Sequence, residues 1–185
     1  EAADRAVLFK SGAKEVGAAL GITPTFMARV AEGLPGSSGH THQSLWDAAG
    51  ERNLFHDPDD PHGMSDVFRS YLAGILTLLP ELLVLFAPTV NSYKRLVDGF
   101  WAPTTPTWGI DNRTVAARVI PGSDRSTRLE LRVPGADVNP YLAVAGGFAA
   151  GLWGVEQGLE LTRPATTGSG YADDSVERLP RTLEQ

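Results

Sequence analysis

The stretch "STRLELRVPG", Ser126 to Gly135, constrains the fold more than any other part of the chain. Apolar and charged residues alternate in it almost without a fault, and alternate residues of a strand point to opposite faces. Leu129, Leu131 and Val133 therefore share one face, while Arg128, Glu130 and Arg132 share the other. The first face needs a core to cover it. The second needs water, cross-strand partners or a ligand. Just downstream, Asn139 and Pro140 have the chemistry of a helix cap and first helical residue, opening the small-residue helix "NPYLAVAGGFAAGLWGVEQGL".

Other segments read less sharply. Ala2 to Leu20 carries apolar residues at helical spacing, with Gly21 as its stop. "ITPTFMARV" has the β-branched and aromatic content of a strand, and the turn "EGLPGSSG" links it to a second strand around His40 and His42. "DAAGERNLFHDPDDPHGMSD" is turn-rich, so its His56 and His62 are expected to be solvated loop residues. Ser65 to Phe86 reads as helical. Its apolar run "YLAGILTLLPELLVLFAP" is interrupted by Pro80 and Glu81 before reaching the ~20 residues a membrane span needs. A buried helix or helix pair is the expectation. "GIDNRTVAARVIP" alternates well enough for one more strand. No internal repeat or domain boundary is visible, and 185 residues suit about one domain.

A net charge of −6 argues against a general nucleic-acid or anionic-membrane binder. The chain has no cysteine, so disulfides and thiolate chemistry are excluded and any metal must be held by His, Asp or Glu. The opening "EAADRAVLFK" has neither a basic n-region nor an apolar signal core. The expected location is the cytoplasm.

Two of the four histidines sit close together in "GSSGHTHQSLW". On a strand His40, His42 and Ser44 share one face, opposite Thr41, Gln43 and Leu45. Either this is a polar edge strand with solvated imidazoles, or one imidazole holds a metal and the next a ligand. Arg128, Glu130 and Arg132 leave a similar choice. They form a surface charge ladder of little energetic weight, or a carboxylate held between guanidiniums where anions and a divalent cation meet. In that case His40 and Glu130 supply two metal ligands. Arg95, Arg113 and Arg118 add planar forks suited to carboxylate and phosphate oxygens. Arg113 and Arg118 are an odd number of residues apart, so either Arg113 precedes its strand or only one of them serves a site.

Taken in order, "GSSGHTHQSLW", "NLF", "NSYKRLV", "DNRT" and "RLELRVPGADVNPYLA" closely resemble the catalytic domain of the glutamine synthetase family, from Phe26 to about Gly158. The resemblance implies an α+β fold in which an antiparallel active-site sheet is backed by helices. It implies that residues 1–185 are part of such a domain, truncated at both ends. The activity implied is ATP-dependent ligation of glutamate to an amine through a γ-glutamyl phosphate, with Mg2+ or Mn2+. His40 and Glu130 would be metal ligands. Gly36, Arg95 and Arg132 would bind the amino acid. His42, Gln43, Ser44, Arg113, Arg118, Arg125 and Arg128 would face the nucleotide, with Arg113 stabilising the transferring phosphoryl. Arg125 is the weakest transfer, standing where the family often has a lysine. A large homo-oligomer with sites shared between subunits is implied as well.

One departure bears on substrate. After "NSYKRLV", ammonia-using members continue through a glycine and an aromatic residue to a glutamate before Ala-Pro. Here the stretch is "DGFWAP", and Trp101 stands in place of the acid. An indole cannot take a proton, but it offers apolar area and a π-face to a larger or cationic amine. An organic amine, such as a polyamine or an ethanolamine-like molecule, is therefore the expected acceptor, with Trp101 among the substrate-binding residues. The alternatives are an ammonia-using glutamine synthetase, with neighbouring residues supplying the acid, and an inactive structural or regulatory relative. Retention of His40, Arg95, Arg113, Glu130 and Arg132 speaks against the last, because converging buried charges are costly to keep.

Overall fold

The computed structural model describes residues 1–173 and 175–185. Its elements run α1 (Ala2–Ala19), β1 (Thr41–Gln43), α2 (Asp66–Leu78), α3 (Leu83–Phe86), α4 (Val90–Arg95), β2 (Trp108–Ile110), β3 (Ala117–Ile120), β4 (Arg128–Leu131) and α5 (Pro140–Glu156), followed by a 3-10 turn at Gly170–Ala172. The strands form one mixed sheet in the order β1-β4-β3-β2. β4 pairs antiparallel with both β1 and β3. Its alternation is realised as expected, since Leu129, Leu131 and Val133 are buried with Ala117 and Val119 of β3. Burying each such Leu or Val contributes roughly 1.5–3 kcal/mol, which fixes the face and hence the register.

The core lies between that face and the helices. Phe55 stacks on Phe68 with ring centroids 4.2 Å apart, and Tyr71, Leu72 and Ile75 of α2 continue the cluster. α5 crosses α2 almost backbone to backbone. A Cβ on Gly74 would lie 2.3 Å from the Ala150 carbonyl oxygen and 2.7 Å from the Gly154 backbone, so only glycine permits this approach. Asn139 caps α5 by accepting the N–H groups of Tyr141 and Leu142. The helix expected over residues 65–86 is interrupted near Pro80 into α2 and α3, the helix-pair alternative. No helix among the described residues is long and apolar enough to cross a membrane.

Three expectations are corrected. Residues 22–30 form no strand. Pro24 has no N–H to give, the Arg29 N–H goes to Asn91 Oδ1 at 3.1 Å, and the Ala28 carbonyl takes the Ser37 N–H at 2.8 Å. These groups are satisfied by a side chain of α4 and by the turn at Ser37, leaving no ladder to build. Residues 109–121 contain two strands rather than one, β2 and β3, with the chain turning at Asp111, whose φ is +50°. Those two strands pair in parallel, so the sheet is not wholly antiparallel. Parallel neighbours usually need a crossover of about a dozen residues. β2 is three residues long, however, and the six-residue link can span the roughly 10 Å return.

Candidate active site

The site is built on the charged face of β4. Cross-strand register puts His42 opposite Glu130 on one side and Arg118 opposite Glu130 on the other. Glu130 is 5% exposed and Arg132 4%, which excludes the solvated charge ladder. Glu130 Oε1 lies 3.0 Å from His40 Nδ1 and 3.8 Å from His42 Nε2. Glu130 Oε2 accepts from Arg118 Nη1 and Arg132 Nη1, each at 3.0 Å. The two guanidiniums gripping the carboxylate are thus Arg118 and Arg132. Arg128, expected to share it, instead donates through Nε to His42 Nδ1 at 3.1 Å. Sequence spacing finds partners along a strand, whereas the decisive partner here lies across the ladder.

Burial alone would push the Glu130 carboxyl up, but hydrogen bonds from His40, Arg118 and Arg132 outweigh it and hold the group well below the usual carboxylate range. Burial pushes the His40 imidazole down, assisted by Arg132 and Arg95 and opposed by Glu130. His42 is shifted down for the same leading reason. An ionised carboxylate beside a neutral imidazole has the protonation states a divalent cation requires. Among the described residues no group of three or more His, Asp or Glu side chains forms a metal cluster. His40 and Glu130 are two donors that could contribute to a coordination shell completed from elsewhere.

A second feature is a pair of buried guanidiniums. Arg95, at the end of α4, is 4% exposed and donates to the carbonyls of Val133 (2.8 Å) and Arg132 (3.1 Å), with Nη2 3.4 Å from His40 Nε2. It makes no direct ion pair with a carboxylate among the described residues, and burial together with the Arg132 charge, opposed by Asp137, pushes its pKa down to about 10. α4 is held in place by a capping box between Thr89 and Ser92, whose hydroxyls both reach Asp137 Oδ2. Gly36 lies flat on the Arg95 stem, where a Cβ would come within 2.7 Å of Cγ. Arg132 donates onward from Nε to the Arg113 carbonyl at 3.1 Å and from Nη2 to the Trp101 carbonyl at 3.2 Å. One side chain thus ties Glu130, Arg113 and Trp101 together.

Trp101 has φ +60°, uncommon for a bulky residue, and its indole is exposed on a cleft of about 580 Å3 lined also by Asp111, Arg113 and Thr166. Arg113 precedes β3, as its odd spacing from Arg118 allowed, and its side chain is exposed. A family description, "Glutamine synthetase, catalytic domain", matches residues 1–185. The chain belongs to the glutamine synthetase family. It is 55% identical to type-1 glutamine synthetase 2 of Dictyostelium discoideum over 188 residues, covering 100% of this chain and 36% of that one. It is 51% identical to the gamma-glutamylethanolamide synthetase GlnA4 of Streptomyces coelicolor, covering 98% of this chain and 38% of the relative. A solved GmaS/ADP complex superposes with a TM-score of 0.88 at 39% identity, over 98% of this chain and 43% of that one. The chain therefore spans little more than a third of the length of these curated relatives.

Within this glutamine synthetase domain, not every residue marked in the sequence reaches the charged face. Gln43 points away from it, accepting from the Tyr71 hydroxyl at 2.6 Å and donating to Thr41 Oγ1 at 3.0 Å beside Gly147 of α5. As an alternate neighbour of His42, it had to face the helices. Ser44 accepts the Trp46 indole N–H at 3.0 Å, and Arg125 lies over the Trp46 ring. His56 is half-buried, with Nδ1 3.1 Å from Thr127 Oγ1, so it is not simply solvated; His62 is exposed on the rim of the Trp101 cleft. Sequence reasoning missed Asp111, which pairs with Arg118 and fixes its reach. The Asp-Asn pair at 111–112 carries the turn signal that could have found it.

Proposed function

We propose that the full-length protein joins the γ-carboxylate of glutamate to an organic amine at the expense of ATP. The observation that carries this reading is Arg95, a buried guanidinium with no direct carboxylate ion pair among the described residues, set beside Arg132 and next to the His40–Glu130 pair. Two like charges so close are stabilised by an anion, and a substrate carboxylate is a natural counter-ion. In the proposed reaction a γ-carboxylate oxygen attacks the terminal phosphorus of ATP, giving the acyl phosphate and ADP. The amine nitrogen then attacks the acyl carbon, phosphate leaves, and the nitrogen loses its proton to a base.

Arg95 and Arg132 hold the amino acid in this scheme. Arg113, Arg118 and Arg128 offset the negative charge of the phosphates, which is most of what phosphoryl transfer asks of a protein. Arg118 is well placed for this, because its bonds to Asp111 and Glu130 outweigh burial and keep it firmly cationic. A divalent cation held by His40 and Glu130, with further ligands from the rest of the protein, would supply additional neutralisation of phosphate charge. Trp101 would shelter the alkyl part of the acceptor. Assembly into a large homo-oligomer with shared sites belongs to the same proposal.

Relatives named gamma-glutamylethanolamide synthetase and glutamate–isopropylamine ligase, from Streptomyces coelicolor and a Pseudomonas species, support an organic acceptor. The Dictyostelium relative, named a glutamine synthetase, favours ammonia instead. An amine panel given to the full-length protein with ATP and glutamate, and scored by product mass, separates the two. The organic-amine reading expects at least one alkyl amine, ethanolamine or polyamine to give a higher kcat/KM than ammonia. A higher value for ammonia than for every organic amine overturns it.

A further inference from the structure

Arg29 lies in the segment whose composition suggested a strand, and it joins three parts of the protein on which the site depends. Its backbone pairs with the Asn91 side chain of α4 in both directions: the N–H donates to Asn91 Oδ1 at 3.1 Å, and the carbonyl accepts from Asn91 Nδ2 at 2.8 Å. Its guanidinium donates from Nη1 to the Lys94 carbonyl at 2.9 Å and from Nε to the Leu34 carbonyl at 3.1 Å. Lys94 precedes Arg95 in the last turn of α4, where helix carbonyls lack intrahelical partners. Leu34 leads into the turn that lays Gly36 on the Arg95 stem. The third contact is a stack, with Arg29 Cζ 4.4 Å from the centre of the Phe100 ring.

Phe100 directly precedes Trp101. The backbone is left-handed on both sides of it, with φ +83° at Gly99 and +60° at Trp101. Glycine adopts that conformation readily, whereas a bulky residue keeps it only where its surroundings hold it there. Trp101 is held from two directions: Arg132 Nη2 donates to its carbonyl, and the Arg29 guanidinium lies on the ring of the residue before it. Arg132 fixes a backbone oxygen and would do so for any side chain. The stack fixes the approach to Trp101, and so bears on how the indole is presented to the cleft that it lines with Asp111 and Arg113. Lysine is no substitute for Arg29 here, because a planar fork donates to two carbonyls while its face covers a ring and an ammonium does not.

We propose that Arg29 is a positioning residue for amine selectivity: by stacking on Phe100 it sets the orientation of Trp101, and thereby favours an organic amine over ammonia. The proposal rests on the reading of Trp101 as the group that shelters the acceptor. It gives residues 22–30 a part in acceptor choice without placing any of them against substrate. Loss of a guanidinium–ring contact of this kind corresponds to about a two- to fivefold change.

The test uses the full-length protein and reads the ratio of kcat/KM for the best organic amine to kcat/KM for ammonia, a quantity that serves whichever acceptor the parent prefers. Phe100→Leu removes the aromatic face and leaves the bonds of Arg29 to the Leu34 and Lys94 carbonyls in place. It should lower the ratio about two- to fivefold through a raised KM for the organic amine, with KM for ATP and for glutamate unchanged. Phe100→Tyr keeps the face and should keep the parental ratio. Arg29→Ala and Arg29→Lys should lower the ratio as Phe100→Leu does, and Arg29→Ala combined with Phe100→Leu should lower it no further than Arg29→Ala alone. Phe100→Leu carries the test should Arg29→Ala fail to fold. The decisive comparison is made in Trp101→Ala, where a residue that acts through the indole has nothing left to orient: adding Arg29→Ala should leave the ratio where Trp101→Ala put it. A fall in kcat/KM for both acceptors together, with the ratio unchanged in the Arg29 and Phe100 variants, marks a merely structural contact and overturns the proposal. So does a further fall in the ratio when Arg29→Ala is added to Trp101→Ala. If Trp101→Ala lowers the ratio and the Arg29 and Phe100 variants do not, the proposal alone fails. If Trp101→Ala leaves the ratio unchanged, or the parent turns over no organic amine, the reading of Trp101 and the proposal fail together.

Discussion

Arg118 and Glu130 face each other across β3 and β4, and Arg118 Nη1 donates to the Glu130 oxygen that also receives Arg132 Nη1, both at 3.0 Å. A carboxylate gripped by two guanidiniums on one oxygen keeps its other oxygen toward His40. Removing it leaves the buried Arg132 without its carboxylate and Arg118 with Asp111 alone. In the full-length protein Glu130→Ala should cost about 3–5 kcal/mol in urea unfolding. It should also lower metal-dependent ATP turnover by about 100-fold or more, because phosphate charge loses a share of its neutralisation. Initial rates across a Mg2+ titration check this, and an unchanged titration with unchanged activity would remove Glu130 from the metal site.

Asp60 offers a pH test away from the site. Its Oδ1 accepts the N–H groups of His62 and Met64 at 2.9 Å each, and its Oδ2 pairs with Arg69. Burial raises the carboxyl pKa, but these bonds outweigh it and the net shift is downward. The folded state therefore binds this proton less readily than the unfolded chain. The stabilisation is present above the ordinary carboxylate value of about 3.9 and is lost as pH falls through the lower folded value. Asp60→Asn should cost about 1–2 kcal/mol at pH 7, with the gap to the parent narrowing below about pH 4. Urea unfolding at a series of pH values measures it, and a gap independent of pH refutes it.

How far the sequence could be read depended on whether a contact lay along the chain or across it. β4 and the Asn139 cap were legible because both are local: a two-residue alternation and a side chain reaching its own next backbone N–H groups. The partnership of Arg118 with Glu130 was not, because it depends on register between strands, and neither residue's neighbours in sequence encode it. Residues 22–30 had strand composition but no strand to pair with, and composition cannot supply a partner. Gln43 was assigned to the nucleotide on the strength of the resemblance. Alternation alone would have turned it toward the helices, where it meets Tyr71.

The α2–α5 crossing predicts opposite outcomes for two Gly→Ala changes. Gly74 has the Ala150 carbonyl oxygen 2.3 Å from the position of an added Cβ, and Gly154 behind it. Gly12, within α1, has nothing within 4 Å. Gly74→Ala forces two helices apart and should destabilise the full-length protein by about 1–3 kcal/mol or more. Gly12→Ala should stabilise it by about 0.5–1 kcal/mol, since alanine loses less backbone freedom in a helix. Denaturant midpoints of both variants decide the matter, and a stabilising Gly74→Ala would show that the crossing is looser than described.

Trp101 sets the remaining test, because the proposed reaction gives it acceptor choice and no other step. Its carbonyl is held by Arg132 Nη2 at 3.2 Å, so a change of side chain leaves that backbone contact available. Trp101 is 63% exposed and lines the cleft. Among the described residues the nearby acids are already engaged: Asp98 is bonded to Thr104 and Arg178, and Asp111 is paired with Arg118. Ammonium must lose a proton before it attacks, and a site without a free acid serves it poorly. An alkyl amine gains from the indole about 0.5–2 kcal/mol of apolar and cation–π contact. Trp101→Glu in the full-length protein should therefore move the ratio of kcat/KM for the best organic amine to that for ammonia at least about tenfold toward ammonia. Trp101→Ala should weaken the organic amine without helping ammonia, which distinguishes a gained acid from a lost indole. KM for ATP should stay unchanged in both variants. If Trp101→Glu leaves the acceptor ratio where it was, acceptor choice is set by another part of the full-length protein, and Trp101 is only a neighbour of the site.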